Sequence, residues 1–286
     1  MENSIGLLLR GGLGNQLFKI FTLISKAIDT NKEFYILHDM GDKRQLNKLL
    51  FSFIMEKIKS NFFNISSNEN HIYHEIHSRI YSTIPNDTKF LIGHYESHLY
   101  FNHNRNKIIE ALKLNELQFK YKFNFKKIIA IHFRFEDCIA NGYVQKPIFF
   151  INALKKLQEE IKEDFYNYKF IIFSSKGEKD DYLTDKYIEN INKNLDKSID
   201  FIKFKDLYPN AETEEEFLYM SNCNYFIIPA STFSWFAYYL SPFDNKKAIV
   251  SDIWLDMNDL ELYYLDGIIK IKSECYKEKN IELYNL

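Results

Sequence analysis

The feature that most restricts how this chain can fold is residues 126–138, KKIIAIHFRFEDC, near its middle. Residues 128–131 form a short apolar, mostly β-branched run, which favours a buried strand over a helix of the same length. The run gives way at once to His132, Arg134, Glu136 and Asp137, with Phe133 and Phe135 interleaved. If extended geometry continues, side chains alternate, so His132, Arg134 and Glu136 share one face and the two phenylalanines the other. Runs of the same kind stand at 5–9, 33–37, 90–92, 170–173, 201–204, 225–228 and 248–250. Segments with helical spacing of apolar residues separate them, at 17–28, 45–60, 100–112, 148–161, 180–193, 212–221 and 235–240. Strands alternating with helices predict an α/β architecture with parallel sheets. The pattern pauses over a polar stretch at 115–124, read as a connector, and restarts at Ile128. Two domains are therefore expected, residues 1–120 and residues 121–286.

Composition narrows the class of function. A chain of 286 residues that is 46% hydrophobic can bury a sizeable core. Lys+Arg 37 against Asp+Glu 39 leaves the net charge near zero, which argues against nucleic-acid binding as the main business. Cys138, Cys223 and Cys275 are few and far apart, with neither zinc spacing nor a disulfide framework, as in a reducing compartment. No window approaches the roughly 20 apolar residues of a membrane span, and the amino-terminal apolar run is too short for a signal peptide. The expectation is a cytoplasmic protein with no nucleic-acid partner and no membrane span. His71, His74 and His77 lie three residues apart, which on a helix places them on one side. A metal site and a solvated, histidine-bearing loop over residues 61–82 both fit, the loop being preferred.

Three loops directly follow expected strands, where open α/β sheets bind their ligands. The first, Arg10-Gly11-Gly12-Leu13-Gly14-Asn15-Gln16, opens a helix. Backbone N–H groups at a helix start can face an anion, and glycine lets the backbone approach it closely. Its spacing is neither the dinucleotide fingerprint nor a P-loop, and a glycine turn can open a helix for structural reasons alone. The second carries Arg134, whose planar guanidinium suits phosphate oxygens; a structural ion pair with Asp137 is the other reading. The third, Ser231-Thr232-Phe233-Ser234, gathers hydroxyls at a helix start, where they serve as caps as readily as an anion cradle. The combination suits a diphosphate lying between two domains. No Asp-x-Asp motif is present to hold a metal ion on it, so no metal is expected.

In order along the chain, these loops resemble a known family, the GDP-fucose-dependent α-1,2-fucosyltransferases (glycosyltransferase family 11). Gly11-Gly12-Leu13-Gly14-Asn15-Gln16-Leu17-Phe18 matches its Gly-Gly-Leu-Gly-Asn-Gln-x-Phe. Gly93-His94-Tyr95-Glu96-Ser97 through Tyr100-Phe101 is similar to its Gly-Tyr-Phe-Gln-Ser…Tyr-Phe. Residues 131–137 resemble its His-x-Arg-Arg-x-Asp. Met220-Ser221-x-Cys223 leading to Ser231-Thr232-Phe233-Ser234-Trp235 looks like its Met-Ser-x-Cys…Ser-Ser-Phe-Ser-Trp. The resemblance spans about residues 5–255.

The resemblance implies two Rossmann-like domains facing a cleft, the GT-B type, with GDP-fucose bound mainly by the second. It implies an inverting, metal-independent transfer of L-fucose from GDP-fucose to a hydroxyl of a galactose-containing glycan in α-1,2 linkage. Carried over residue by residue, Arg134 would hold the diphosphate and stabilise the departing GDP, and His132 would lie near the guanine or its ribose. Glu216 falls where related enzymes pair an Asp with guanine N1–H and the 2-amino group. Ser231, Thr232, Phe233 and Ser234 would line the diphosphate and base, while Gly12, Leu13, Gly14 and Asn15 would close over the sugar and phosphate. Asp137 and Glu136 are the candidates for general base, with Glu96 third. Two departures stand out: Phe135 replaces the second Arg of the pair, and Glu136 replaces a small residue. Lys146 and Lys176 are the cations that could substitute. A transferase for another GDP-sugar and a catalytically weakened GDP-sugar-binding protein remain as alternatives. The acceptor-side loops at 61–86 resemble nothing that identifies the acceptor.

Overall fold

The computed structural model describes residues 3–38, 71–77, 79–254 and 260–277, without the side chains of His38, Glu136, Asp137 and Glu163. The helix expected at 45–60 lies outside the described residues. The chain divides into two compact units, Met1–Lys120 with Leu260–Leu265, and Tyr121–Asp259 with Asp266–Leu286. Each carries a parallel sheet flanked by helices, the α/β class that the alternating pattern predicted.

The first unit begins β1 (Ser4–Leu9), α1 (Leu13–Thr30), β2 (Glu33–His38), with β3 (Ile72–His74) and β4 (Phe90–Ile92) following. The sheet order is β2-β1-β4-β3, every pair parallel. Ile5 and Leu7 of β1 are wholly buried, as are Leu17, Phe18, Ile20 and Phe21 of α1, so the sheet and its first helix share the core. The helix expected at 100–112 is broken: 3-10 turns at His98–Tyr100 and Asn102–Asn104 precede α2 (Arg105–Ala111). The expected connector contains α3 (Leu114–Lys120), which buries Leu114, Leu117 and Gln118 at helical spacing. β3 lies inside the stretch expected to be a loop. Leu260–Leu265, expected in the second domain, belongs to the first unit. Leu260 and Leu262 are wholly buried, and the Glu261 carboxylate accepts from the Tyr81 N–H at 2.7 Å and from the Ser97 hydroxyl.

The second unit runs β5 (Ile128–Phe133), α4 (Glu136–Asn141), β6 (Val144–Gln145), α5 (Pro147–Ile161), β7 (Lys169–Ser174), α6 (Glu178–Lys193) and β8 (Phe201–Lys203). It continues α7 (Phe204–Leu207), α8 (Thr213–Met220), β9 (Tyr225–Ile228), α9 (Thr232–Leu240), β10 (Lys247–Ser251), β11 (Ile268–Ile271) and β12 (Cys275–Tyr276). Proline at the first position of α5 fits the helix start, where its missing N–H costs nothing. A capping box between Glu212 and Glu215 starts α8. α9 buries every residue from Ser234 to Leu240, as a helix apolar all round must. The six-stranded sheet has the order β11-β10-β9-β5-β7-β8, all parallel, and β6 pairs antiparallel with β12. In order of appearance this is the doubly wound 3-2-1-4-5-6 arrangement of Rossmann folds.

Candidate functional site

In the second unit the strand order reverses between β5 and β9: β7 and β8 extend one side, β10 and β11 the other. Such reversal points open a crevice beyond the carboxyl ends of the strands, which is where these sheets bind ligands. Ile131 pairs with Ile227, so the polar residues after β5 emerge beside those after β9. Arg134 donates from Nη1 to the Ala230 carbonyl at 2.6 Å, which ties the guanidinium to the lip of the sheet. His132 Nδ1 lies 2.9 Å from Ser234 Oγ, and its ring is 5.7 Å from that of Phe233. Burial, and secondarily the Arg134 charge, push the His132 pKa down to about 3. The imidazole is therefore neutral near pH 7, with one ring nitrogen able to donate and the other to accept.

Ser231 occupies the N-cap position of α9, yet its hydroxyl makes no capping bond, so ordinary capping does not account for it. Ser231 and Ser234 are buried, whereas Thr232 and Phe233 are half-buried. Phe233 meets Phe217 of α8 edge-on at 5.4 Å, which places Glu216 on the helix flanking the same edge. The structure thus brings His132, Arg134, Ser231, Thr232, Phe233 and Ser234 together, with Glu216 on the neighbouring helix. The side chains of Asp137 and Glu136 lie outside the description.

Position 135 takes the face that strand alternation predicts for it. Phe135 is 1% exposed, its ring 5.0 Å from Tyr187 and 6.0 Å from Phe133, so it feeds the core and not the polar edge. The two lysines considered as substitutes for a second arginine are engaged elsewhere. Lys146 Nζ sits 3.1 Å from the Glu274 carboxylate, and Lys176 Nζ donates to the Pro209 carbonyl at 3.3 Å and to that of Ala211.

In the first unit α1 starts four residues earlier than its apolar spacing indicates. The Gln16 N–H donates to the Gly12 carbonyl at 3.0 Å, and Gln16 Nε2 to the Gly11 carbonyl at 2.7 Å. Leu13, Gly14 and Asn15 therefore form the first helical turn, whose N–H groups have no partner within the helix. Gly11 needs glycine for its φ of +95°. Gly12 has φ −70°, and a Cβ there would meet nothing within 4 Å, so neither conformation nor packing requires glycine at that position. His71, His74 and His77 do not share a helix: His71 Nδ1 lies 2.9 Å from the Asp87 carboxylate, and His74 is in β3. Among the described residues no group of three or more His, Cys, Asp or Glu side chains could hold a metal ion. Sequence reasoning missed the role of Glu75, whose carboxylate accepts from the His94 and Tyr95 N–H groups beyond β4. No helix among the described residues is long and apolar enough to cross a membrane.

An alpha-1,2-colitosyltransferase of Escherichia coli is 24% identical to this chain over 288 residues, covering 89% of this chain and 93% of that protein. Among solved structures, the E. coli heptosyltransferase WaaC with ADP matches with a TM-score of 0.46 and 6% identity, over 94% of this chain and 90% of its own. An Arabidopsis thaliana FUT1 mutant in complex with GDP matches with a TM-score of 0.45 and 11% identity, over 87% of this chain and 70% of its own. The family model described as glycosyl transferase family 11 matches residues 7–258, most of the chain, and the chain belongs to that family.

Proposed function

We propose that this glycosyltransferase moves L-fucose from GDP-fucose to a hydroxyl of a galactose-containing glycan, forming an α-1,2 linkage with inversion and without a metal ion. The observation that carries the reading is the pairing of Arg134 with the hydroxyl-lined start of α9 at the β5–β9 reversal point. A guanidinium beside a helix N-terminus is suited to a diphosphate, whose charge grows as it leaves. Arg134 then stabilises the departing GDP, assisted by Ser231, Thr232, Ser234 and the first N–H groups of α9. Neutral His132 and Phe233 line the nucleoside, and Glu216 accepts from guanine N1–H and the 2-amino group. Gly12, Leu13, Gly14 and Asn15 are assigned to the sugar and phosphate; a glycine that neither φ nor packing demands supports close approach of a ligand at Gly12. The transfer itself passes through an oxocarbenium-like sugar, attacked by the acceptor oxygen on the face opposite the leaving group. Asp137 and Asn15 complete the proposed catalytic set with Arg134. A cytoplasmic location is part of the same proposal.

A second reading is favoured by the colitosyltransferase relative: the same site using the colitosyl counterpart of the donor. The guanine and diphosphate contacts would be the same for either sugar. A donor panel of GDP-fucose, GDP-colitose and GDP-mannose, each with lactose or N-acetyllactosamine in EDTA, decides between them. The proposal predicts acceptor-dependent GDP release that is fastest with GDP-fucose, and a product whose new bond is α-1,2 by NMR. Faster release from GDP-colitose establishes the second reading, and a chain that binds no GDP at all contradicts both.

A further inference from the structure

The first unit has a reversal point of its own. β2 lies on one side of β1, with β4 and β3 on the other, and Leu7 pairs with Leu91. The glycine turn after β1 and the segment Gly93 to Ser97 after β4 therefore leave the sheet side by side, at the edge where ligands of such sheets bind. Beyond β4 the chain bends sharply. Tyr95 is wholly buried at φ +56°, a left-handed conformation uncommon outside glycine. Glu75, just past β3, holds the bend: its carboxylate accepts from the His94 N–H at 2.6 Å and from the Tyr95 N–H at 2.9 and 3.0 Å. Gly93 permits that approach, since a Cβ there would fall 2.5 Å from Glu75 Cβ.

The bend turns His94 and Glu96 toward each other. His94 Nδ1 lies 3.7 Å from one Glu96 oxygen, and the other Glu96 oxygen accepts from Arg79 Nε at 2.7 Å. The Glu96 side chain is only 3% exposed and that of Arg79 18%, while the imidazole of His94 is 57% exposed. A buried carboxylate fixed by an arginine thus faces an imidazole that opens outward. This is the arrangement in which a third group orients a base, and such contacts are often long until substrate binds.

We propose that His94, oriented by Glu96, is the general base that takes the proton of the acceptor hydroxyl, an inference that rests on the transferase reading above. As the acceptor oxygen bonds to the anomeric carbon, that carbon's bond to the diphosphate oxygen breaks. GDP departs with the electron pair, the hydroxyl proton passes to His94 Nε2, and the imidazolium then returns it to water. With its own proton on Nδ1, toward Glu96, the neutral ring presents Nε2 as acceptor. The charged groups around it are Glu96, Lys19 of α1 and Arg79, with Glu75 on the adjoining backbone. Partial desolvation of the half-exposed ring lowers the His94 pKa from the ordinary histidine value, Glu96 raises it, and Lys19 and Arg79 lower it further, so the ring is neutral and ready to accept near pH 7. Glu96 itself is shut away behind Arg79, which leaves His94 as the member of the pair that meets solvent.

The test follows GDP release from GDP-fucose at saturating acceptor over about pH 5–9, with GDP affinity measured in parallel, for the wild type, His94→Gln, Glu96→Gln and Asp137→Asn. His94→Gln is expected to lose about 10²–10³-fold in kcat, to keep its GDP affinity, and to lose the acid limb of the pH profile. Glu96→Gln is expected to lose less and to move that limb to lower pH, because the carboxylate that raises the imidazole pKa is gone. In Asp137→Asn the limb stays where it is in the wild type. Added imidazole restores part of the rate to His94→Ala. A His94→Gln enzyme that turns over like the wild type with its acid limb intact overturns the assignment, as does loss of the limb in Asp137→Asn. A wild-type chain that neither binds GDP nor releases it overturns the transferase reading and this inference with it.

Discussion

The two sheet edges are built from different materials. In the second unit Arg134 donates to the Ala230 carbonyl and His132 meets the Ser234 hydroxyl, both just beyond the carboxyl ends of the strands. In the first unit the residues beyond β4 are held by carboxylates: Glu75 on two backbone N–H groups, Glu96 on Arg79, and Glu261 on Tyr81 and Ser97. The contrast is instructive. A planar guanidinium presented at the lip of a sheet suits an edge that receives an anion. Acids and bases packed at close range tune one another's proton affinity, which suits an edge that handles a proton. On the proposed reading, the edge beyond β5 and β9 steadies the leaving diphosphate, and the segment beyond β4 takes up the proton.

The comparison can be broken in stages. Arg134→Lys keeps the charge but loses the planar fork, and about a 10²-fold fall in kcat/KM is expected with the fold intact; unchanged kinetics would show that the guanidinium has no partner in the reaction. Phe135→Arg restores the second arginine of the family pattern, but at a position buried against Tyr187 and Phe133. It should lower unfolding stability by about 3 kcal/mol or more and add nothing to turnover. A stable and faster variant would place position 135 on the polar edge instead. Gly93→Ala forces Glu75 aside, so a loss of about 1–3 kcal/mol in chemical unfolding is expected, with slower transfer and unchanged GDP affinity. Weaker GDP binding in that variant would dissolve the division between the edges.

A separate effect is on pH dependence. The folded pKa of His132, about 3, lies below the ordinary 6.5, so between these values the unfolded chain binds the extra proton. Stability from this site is complete above pH 6.5 and is lost as pH falls toward 3, the stability curve rising with pH across that window. His132→Gln should therefore lose less stability than the wild type between neutral and acidic pH, as followed by urea unfolding. A parallel pair of curves would mean that His132 is not held neutral.

Much of the second unit was legible because its strands are buried on both faces and read as continuous apolar runs. Residues 128–131, 170–173 and 225–228 all lie within observed strands, and the alternation past Ile131 sent Phe133 and Phe135 to the core and His132 and Arg134 to the edge. What the sequence hid was set by pairing and not by apolarity. β3 and β11 are short edge strands with no wholly buried residue, unlike the buried runs of the central strands. α3 was masked by the polar Asn115 and Glu116 between its buried leucines. The start of α1 at Leu13 depends on Gln16 bonding back to Gly11 and Gly12, a contact that apolar spacing does not report. The bend at Tyr95 was beyond reach for a related reason. It is held by Glu75, twenty residues earlier, and only Gly93 marks the close approach. Even so, His94 and Glu96 are two of the positions at which that block departs from the family's pattern.

The central claim, that the β5–β9 edge holds a diphosphate through Arg134, is tested most directly by one comparison. GDP release from GDP-fucose would be followed with and without lactose, in EDTA, for the wild type and Arg134→Ala. The account predicts acceptor-dependent release that persists in EDTA and falls by about 10²–10³-fold in the variant, with weaker GDP binding. Release by Arg134→Ala at the wild-type rate, or a wild-type chain with no affinity for GDP, would contradict it.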